Sequence, residues 1–184
     1  ITGDRRVALV SYTGSVRGGR HVGKIVQERF GRLILELGGN NAVIVSEKGD
    51  PTIAQRAVTF GALGTAGQRC TSTRRAIVQR NIYDKFKTQL LKAYQITKIG
   101  NPLDENQFMG PLVDRAAVDT MMQAIDRIRQ EGGKIIYGGR CLDLPGGCYV
   151  TPCLVEATPD MPVIQEETFA PILYLLQYDT LMLP

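Results

Sequence analysis

Short apolar runs alternate with amphipathic segments along most of the chain. Residues 7–12 form an apolar run with β-branched positions, which predicts a buried strand. From there to about residue 30, Val22, Ile25, Val26 and Phe30 recur at helical spacing. Two further apolar runs, at residues 33–37 and 42–45, predict short buried strands. The first quarter of the chain therefore predicts a strand, a helix and two more strands.

The same alternation continues towards the end of the chain. Pro51 predicts the start of a helix that reaches residue 64, because proline is favoured in the first helical turn. Helical spacing also marks residues 82–99 and 115–130, and strands are predicted at 75–79, 134–139, 149–155 and 173–176. Pro152 interrupts the strand at 149–155, which predicts an edge position for that strand. Strands that alternate with helices in this way predict an α/β fold with a largely parallel sheet.

Two polar positions carry the candidate chemistry. Glu36 directly follows the apolar run at 33–35 and lies at the end of a strand that a pair of glycines stops. The strand ends of α/β domains face the clefts where ligands bind. Cys70 lies on a turn beside Gly67, after a helix-like segment rich in small residues, with Arg69 next to it. A neighbouring cation favours the reactive thiolate over the thiol. Together they supply a carboxylate that can act as a base and a thiol that can act as a nucleophile.

Each candidate also has a plain structural interpretation. Glu36 could be a solvated loop carboxylate, and Cys70 could be a buried small hydrophobe, since free cysteine is among the most buried residue types. The segment Thr13-Gly14-Ser15 turns a strand into a helix, which suits anion binding, although its serine could be a simple helix N-cap. Glu166 and Glu167 could be a solvated acidic pair. Residue types alone leave these alternatives open.

Four motifs, in order along the chain, resemble those of the aldehyde dehydrogenase superfamily. The strings are Ser11-Tyr12-Thr13-Gly14-Ser15, Glu36-Leu37-Gly38-Gly39-Asn40, Gly67-Gln68-Arg69-Cys70 and Glu166-Glu167-Thr168-Phe169-Ala170-Pro171. They resemble, respectively, a cofactor-binding segment, the active-site glutamate and cysteine signatures, and the Glu-x-Phe-x-Pro segment of that family. The doubled asparagine at 40–41 and the strings at 64–71 and 167–174 look most like the antiquitin branch, which oxidises α-aminoadipic semialdehyde. The likeness covers nearly all of residues 1–180.

The resemblance implies catalytic roles for two residues and a substrate-binding role for a third. Cys70 is expected to attack the aldehyde carbon and form a thiohemiacetal and then a thioester, while its backbone N–H donates to the oxyanion. Glu36 is expected to act as the general base that activates water to hydrolyse the thioester. Thr71, next to the nucleophile, is expected to line the substrate pocket.

The resemblance also implies a cofactor site. Gly14, Ser15 and Leu37 are expected to contact the cofactor, with the pyrophosphate at the start of the first helix. Glu167 is expected to hold the nicotinamide ribose hydroxyls, and Phe169 to pack against that end of the cofactor. The implied cofactor is NAD, with NADP as the alternative.

The implied architecture is an aldehyde-dehydrogenase-like α/β fold in two parts. Residues 1–39 would be the C-terminal piece of a Rossmann-like NAD-binding domain, and residues 40–184 a partial catalytic domain with a parallel sheet. Members of the family are more than twice as long as these 184 residues, so the resemblance implies a fragment. The ending at residues 179–184 does not resemble the family pattern. By comparison with the family, the chain lacks the asparagine side chain that completes the oxyanion hole, and losing such a donor slows catalysis roughly a hundredfold to a thousandfold. We therefore expect little or no dehydrogenase activity from the isolated chain.

Composition narrows the classes of partner. The hydrophobic fraction of 43% and the charged fraction of 22% are typical of a soluble globular protein. The net charge of +4 is mild and its basic residues are scattered among acids, unlike the basic stripes that bind nucleic acid. No apolar stretch reaches the roughly 18 residues of a membrane helix. We therefore expect a small-molecule aldehyde as partner, no nucleic acid, no membrane, and a parent enzyme that is a homodimer or homotetramer.

The cysteines and the single histidine predict no metal site. Cys70, Cys141, Cys148 and Cys153 form no C-x-x-C pair, and His21 is far from all of them in sequence. A cysteine hydrolase would have to use His21, which is expected on the surface of a helix. Without any sign of secretion, the cysteines indicate a reducing compartment, the cytoplasm, with the mitochondrion as the alternative.

Two functional hypotheses remain. In the first, the chain is part of an NAD(P)-dependent semialdehyde dehydrogenase whose residues keep their family roles. In the second, it is a non-catalytic truncated homologue that binds a partner, such as a full-length subunit, through exposed sheet edges. The intact residues Glu36, Cys70 and Glu167 favour the first hypothesis.

Overall fold

The computed structural model describes residues 1–180. Its strands are β1 (Leu9–Thr13), β2 (Arg32–Glu36), β3 (Asn41–Val45), β4 (Thr73–Gln79), β5 (Lys134–Tyr137), β6 (Cys153–Glu156) and β7 (Ile172–Tyr178). Its α-helices are α1 (Val16–Glu28), α2 (Pro51–Leu63), α3 (Arg80–Ile96) and α4 (Arg115–Gln130), with short 3-10 segments at Gly64–Gly67 and Pro162–Gln165. The predicted departure of the ending from the family pattern falls largely on residues 181–184, outside the described residues.

The chain forms two compact units, Ile1–Gly39 and Asn40–Pro184. In the first unit, β1 and β2 are parallel neighbours, with Thr13 opposite Glu36 at their carboxyl ends. The helix α1 connects them, and its Val22 and Val26 pack against Val10 of β1. This strand–helix–strand arrangement follows from the apolar positions of α1, which recur at helical spacing and bury one face.

The second unit is built on a five-stranded sheet with the order β3-β4-β7-β6-β5. All neighbouring strands are parallel except β5 and β6, which are antiparallel. Strand β7 lies at the centre, and its first five residues are buried. The structure therefore confirms the predicted α/β fold with a largely parallel sheet.

Helices cover both faces of this sheet. Successive residues of β7 point to opposite faces, so that Leu173 and Leu175 join one apolar cluster while Tyr174 and Leu176 join the other. The first cluster includes Val58 of α2 and Phe86, Leu90 and Tyr94 of α3; the second includes Met121, Ile125 and Ile128 of α4. The apolar face of α4 is therefore part of the core, as predicted.

Three strands that were predicted to be buried are largely exposed. Leu9 of β1 is 47% exposed, Ile34 and Leu35 of β2 are 47% and 37% exposed, and Ile44 of β3 is 57% exposed. Among the described residues, β2 pairs only with β1 and β3 only with β4, so each is an edge strand. The prediction was wrong because an apolar run does not reveal how many neighbours a strand has.

Three further predictions need correction. Strand β6 is not at an edge, because it lies between β5 and β7. It begins after Pro152, so the proline, which has no N–H to donate, lies outside the hydrogen-bonded strand. Phe30 was assigned to the apolar face of α1, but it follows the end of that helix and is 95% exposed. Helix α3 ends at Ile96, three residues earlier than predicted. Within residues 1–180, no helix is both long and apolar enough to cross a membrane.

Candidate functional site

Cys70 lies on a turn between α2 and β4, which we call the thiol turn and define as residues 67–72. Cys70 is exposed, whereas Cys153 in β6 is completely buried. The interpretation of Cys70 as a buried hydrophobe is therefore wrong. An exposed thiol on a turn is accessible to a substrate.

The backbone enters the thiol turn in an unusual conformation. Thr65, Ala66 and Gly67 have φ angles of 54°, 53° and 69°, and a left-handed conformation is uncommon for the first two residue types. At Gly67, an added Cβ would lie 2.4 Å from the carbonyl oxygen of Ala170. Glycine is therefore required at this position, both for its φ angle and for the close approach of the two segments.

Hydrogen bonds from Asn41 hold the second half of the thiol turn. The Nδ2 of Asn41 donates to the carbonyl oxygens of Cys70, at 2.6 Å, and Ser72, at 3.1 Å. Within the turn, the N–H of Ser72 donates to the carbonyl of Arg69, and the N–H of Arg69 donates to Oγ of Ser72. The carbonyl groups on both sides of the thiol therefore have fixed directions.

The thiol turn leaves one backbone donor available. Within the described part of the chain, the backbone N–H of Cys70 donates to no acceptor, so it can stabilise an oxyanion. The Arg69 guanidinium lies 5.8 Å from the centre of the Phe60 ring, and Thr71 is exposed beside the thiol. The available donor beside an exposed thiol is compatible with the role predicted for Cys70, and the role of Thr71 stays a prediction.

Arg74, which was not predicted from the sequence, joins the thiol turn to the predicted cofactor segment. Its side chain is only 2% exposed, and burial lowers the pKa of its guanidinium. Its Nη1 donates to the carbonyls of Gly67, at 2.9 Å, and Ala170, at 3.2 Å, while Nη2 donates to the carbonyl of Arg69 at 3.2 Å. One signal was available: strand alternation turns one of the adjacent arginines at 74 and 75 towards the core.

The same guanidinium contacts both residues predicted to bind the nicotinamide ribose end of the cofactor. Its Nη2 lies 3.3 Å from Oε1 of Glu167, and its central carbon lies 5.5 Å from the centre of the Phe169 ring. The side chain of Glu167 is 24% exposed. Glu166, in contrast, is 64% exposed and pairs with Arg127 at 2.7 Å. Glu166 therefore fits the interpretation as a solvated carboxylate, whereas the Glu167 side chain is partly buried against Arg74 although the residue as a whole is exposed.

In the first unit, four predicted residues meet at the carboxyl ends of the two parallel strands. Glu36 is the exposed last residue of β2, and its carbonyl accepts a hydrogen bond of 3.0 Å from the N–H of Gly14. Ser15 caps α1 by accepting from the N–H of Gly18 at 3.1 Å, so the N-cap interpretation is correct. Leu37 packs on α1, where a Cβ at Gly19 would lie 2.5 Å from it. The unpaired N–H groups at this helix start suit a phosphate group.

The remaining cysteines and the histidine form no second site. All four cysteines are free, and His21 is an exposed residue of α1. Among residues 1–180, no three His, Cys, Asp or Glu side chains come close enough to hold a metal ion.

Comparison with known proteins identifies the family. The aldehyde dehydrogenase family model matches residues 1–182. The chain is 45% identical over 176 residues to alpha-aminoadipic semialdehyde dehydrogenase of Rattus norvegicus, covering 95% of this chain and 32% of the relative. It is also 45% identical over 181 residues to aldehyde dehydrogenase family 7 member A1 of Pisum sativum, covering 98% of this chain and 35% of that relative.

Solved structures agree with this assignment. The fold is similar to betaine aldehyde dehydrogenase from Staphylococcus aureus in complex with NAD⁺, with a TM-score of 0.94 and 31% identity, over 97% of this chain and 36% of that chain. The chain thus spans about a third of the length of the proteins it matches, as predicted for a fragment. On the strength of the family model, these relatives and the shared fold, the chain belongs to the aldehyde dehydrogenase family.

Proposed function

We propose that this chain carries the nucleophilic thiol and part of the cofactor site of an enzyme that oxidises α-aminoadipic semialdehyde to the carboxylate with NAD. The observation that carries the proposal is the exposed Cys70 on a hydrogen-bonded turn that Arg74 ties to Glu167 and Phe169. The relatives named as semialdehyde dehydrogenases support the choice of substrate, and the NAD⁺ complex of a structural neighbour supports the choice of cofactor.

The first step belongs to Cys70. Its thiolate adds to the aldehyde carbon, a C–S bond forms, and the carbonyl π electrons move to the oxygen. The N–H of Cys70 donates to that oxyanion and lowers the barrier. The chemistry that a bound nicotinamide supplies here is acceptance of the hydride from the tetrahedral carbon, which leaves a thioester on the sulfur.

The residues assigned to the cofactor have the chemistry that NAD requires. The start of α1, with Gly14 and the cap Ser15, offers backbone N–H groups to a pyrophosphate. The carboxylate of Glu167 can accept hydrogen bonds from ribose hydroxyls, and the half-exposed ring of Phe169 offers an apolar surface. Leu37 supports this region by packing on α1. NADP remains the alternative cofactor.

Glu36 is assigned the second half of the reaction. As general base it would take a proton from water, whose oxygen attacks the thioester carbon and releases the Cys70 thiolate. The support for this role is its exposed position at the end of β2 and the motif it shares with the family. The resemblance also supports a role for Thr71 in lining the substrate pocket.

The experiment that tests this proposal is protection of Cys70 from alkylation. The purified chain is treated with limiting iodoacetamide, and labelling of Cys70 is compared with that of the exposed Cys141 in the same sample by peptide mass spectrometry. α-Aminoadipic semialdehyde is expected to protect Cys70 at lower concentrations than pentanal does, and to leave Cys141 unprotected. Equal protection of both cysteines would mean ordinary thiol–aldehyde chemistry and would contradict the proposal.

One observation favours the second function, that of a non-catalytic partner. Strand β3 has a single neighbour among the described residues, and its Ile44 is 57% exposed. A free strand edge can pair with another chain. A chain that pairs with a full-length subunit in size-exclusion chromatography, yet gives no selective protection of Cys70, would support this function.

A further inference from the structure

Arg74 connects two segments that are far apart in sequence. One guanidinium donates to carbonyls in the thiol turn, at Gly67 and Arg69, and also to Ala170 in the segment that follows Glu167. The ion pair with Glu167 and the contact with Phe169 complete this arrangement. A planar group with several donors in fixed directions can hold both segments at once, which a single ammonium group cannot.

Burying the charged guanidinium of Arg74 is unfavourable in free energy, which argues for a role beyond packing. Arg74 is almost fully buried, and within residues 1–180 its Nε has no hydrogen-bond partner. It contacts the Glu167 carboxylate. Burying a charge is unfavourable unless it is well paired, and an apolar side chain of similar size often serves as well or better for stability. The acceptors of Arg74 are instead concentrated on the two segments that carry the proposed chemistry.

We propose that Arg74 is a positioning residue that couples the thiol turn to the Glu167 carboxylate, so that a change at Glu167 alters the reactivity of Cys70. The inference rests on the proposed function for the meaning of the two ends, a nucleophile and a ribose-binding carboxylate. A ribose that binds Glu167 would then change the reactivity of Cys70 through the Arg74 side chain. Coupling of this kind is expected between groups that share a hydrogen-bonded network.

The neighbouring acidic residue provides a matched control. Glu166 forms an ion pair with Arg127 on the surface, with 64% of its side chain exposed, and neither residue contacts the thiol turn in any interaction of the described chain. Removing this pair changes charge and hydrogen bonding one position away from Glu167. It should leave Cys70 unaffected.

The test is a double-mutant cycle read by the labelling ratio of Cys70 to Cys141 with limiting iodoacetamide. Glu167→Gln is measured in the chain with Arg74 and in the chain with Arg74→Met, and Glu166→Gln and Arg127→Met serve as controls. We expect Glu167→Gln to change the ratio about fivefold when Arg74 is present and less than about 1.5-fold when it is absent. The two control variants should leave the ratio within about 1.5-fold of the original chain.

Further measurements distinguish a loss of coupling from a loss of folding in the variants. Circular dichroism establishes that each variant is folded, and Arg74→Lys replaces Arg74→Met if the latter is not. Lysine keeps the charge but cannot hold both segments, so it too should abolish the coupling. Independently of any change at Arg74, Glu167→Gln should speed amide exchange in a peptide that covers the thiol turn, and Glu166→Gln should not.

Several results would overturn the inference. Equal effects of Glu167→Gln with and without Arg74 would mean that Arg74 does not connect the two ends. An effect of Glu166→Gln as large as that of Glu167→Gln would mean that general charge, and not this contact, acts on Cys70. None of these measurements uses an aldehyde or NAD, so failure of the inference and failure of the proposed function give different results.

Discussion

At the scale of single residues, environment separates cysteines that look alike in the sequence. Cys70 is exposed on the thiol turn, while Cys153 is buried between neighbouring strands. Burial raises the pKa of the Cys153 thiol to about 12, because the thiolate would lie in apolar surroundings. Cys153 is therefore an inert core residue, and the chemistry we propose belongs to Cys70.

The raised pKa of Cys153 predicts a loss of stability at alkaline pH. The folded chain holds this proton more tightly than the unfolded chain, so the stabilisation is complete below pH 9.0 and is lost as the pH rises towards about 12. Burial raises the pKa of Tyr83 to about 12 as well, which adds a loss of the same sign above pH 10.0. We expect the free energy of unfolding in urea to fall across this range.

The variant Cys153→Ala isolates the part that is due to the thiol. Its stability will be lower at every pH because a core side chain is smaller. Its loss of stability with rising pH should nevertheless be less steep than in the original chain, most clearly between pH 9 and pH 10. Parallel curves for the two proteins would mean that Cys153 contributes nothing to the pH dependence.

The sequence predicted the candidate site residues but not the side chains that hold them. Motif order singled out Cys70 and Glu167, because their types and spacing carry the family pattern. Arg74 was not predicted because the partners that reveal its role, Glu167 and Ala170, are 93 and 96 residues further along the chain. A buried cation is recognised only when the carbonyls around it are known.

At the scale of elements, the thiol turn depends on glycine at position 67. Gly67→Ala should lower the free energy of unfolding by about 2–4 kcal/mol, because the left-handed backbone and the overlap with the Ala170 carbonyl both cost energy. Gly132→Ala is the control: its φ of 87° is also positive, but nothing lies within 4 Å of the added Cβ. That variant should lose only about 1–2 kcal/mol.

Urea unfolding measures both variants. A loss at Gly67 no larger than the loss at Gly132 would show that the Ala170 segment moves away easily. The close packing of the two segments would then not be a fixed feature of the site.

The stability of the thiol turn should also depend on whether residue 41 donates or accepts hydrogen bonds. Its Nδ2 donates to the carbonyls of Cys70 and Ser72, so Asn41→Ala should cost about 1 kcal/mol. Asn41→Asp would bring acceptor oxygens against those carbonyls and should cost more, about 2–3 kcal/mol. Thermal or urea unfolding, with Cys70 labelling as a local probe, checks both values.

A change of the same kind at Asn101 serves as the control. Its Oδ1 accepts from the N–H of Leu103, a role that aspartate fills equally well. Asn101→Asp should therefore leave stability within about 0.5 kcal/mol of the original chain. If Asn41→Asp were as well tolerated, Asn41 would not be holding the thiol turn.

The bounds of helices with a long apolar periodicity were predicted well. The exposure of strands, which depends on their neighbours in the sheet, was predicted poorly. Helix α4 has its predicted bounds, since its apolar positions recur over four turns. The exposure of β2 and β3 and the interior position of β6 depend on strand order, which is a property of the sheet. No local pattern in these short strands carries that information.

At the scale of the whole molecule, the two compact units have very different cores. In the first, the buried cluster consists of Val10, Val22 and Val26, whereas the second has two large clusters on the two faces of its sheet. Because buried apolar area provides most of the stability, the first unit should open at lower free energy. Amides of α1 are expected to exchange at lower urea concentrations than those of β4.

Two buried valines allow this prediction to be checked unit by unit. Val26→Ala should speed exchange in α1 and leave β4 unchanged, and Val78→Ala should do the reverse, since both side chains are completely buried. Hydrogen exchange measured by mass spectrometry distinguishes the two. Uniform acceleration along the chain by either variant would mean that the units unfold as one.

The most direct measurement of the central claim is transfer of an acyl group to Cys70. With p-nitrophenyl acetate, the acetyl group should move to the Cys70 sulfur with release of p-nitrophenolate, forming the same kind of thioester as in the proposed reaction. We predict that Cys70 is acylated at least about tenfold faster than the exposed Cys141 in the same chain, and that Cys70→Ser removes the fast release. Equal rates at the two cysteines, or fast release that survives Cys70→Ser, would contradict the assignment of Cys70 as the nucleophile.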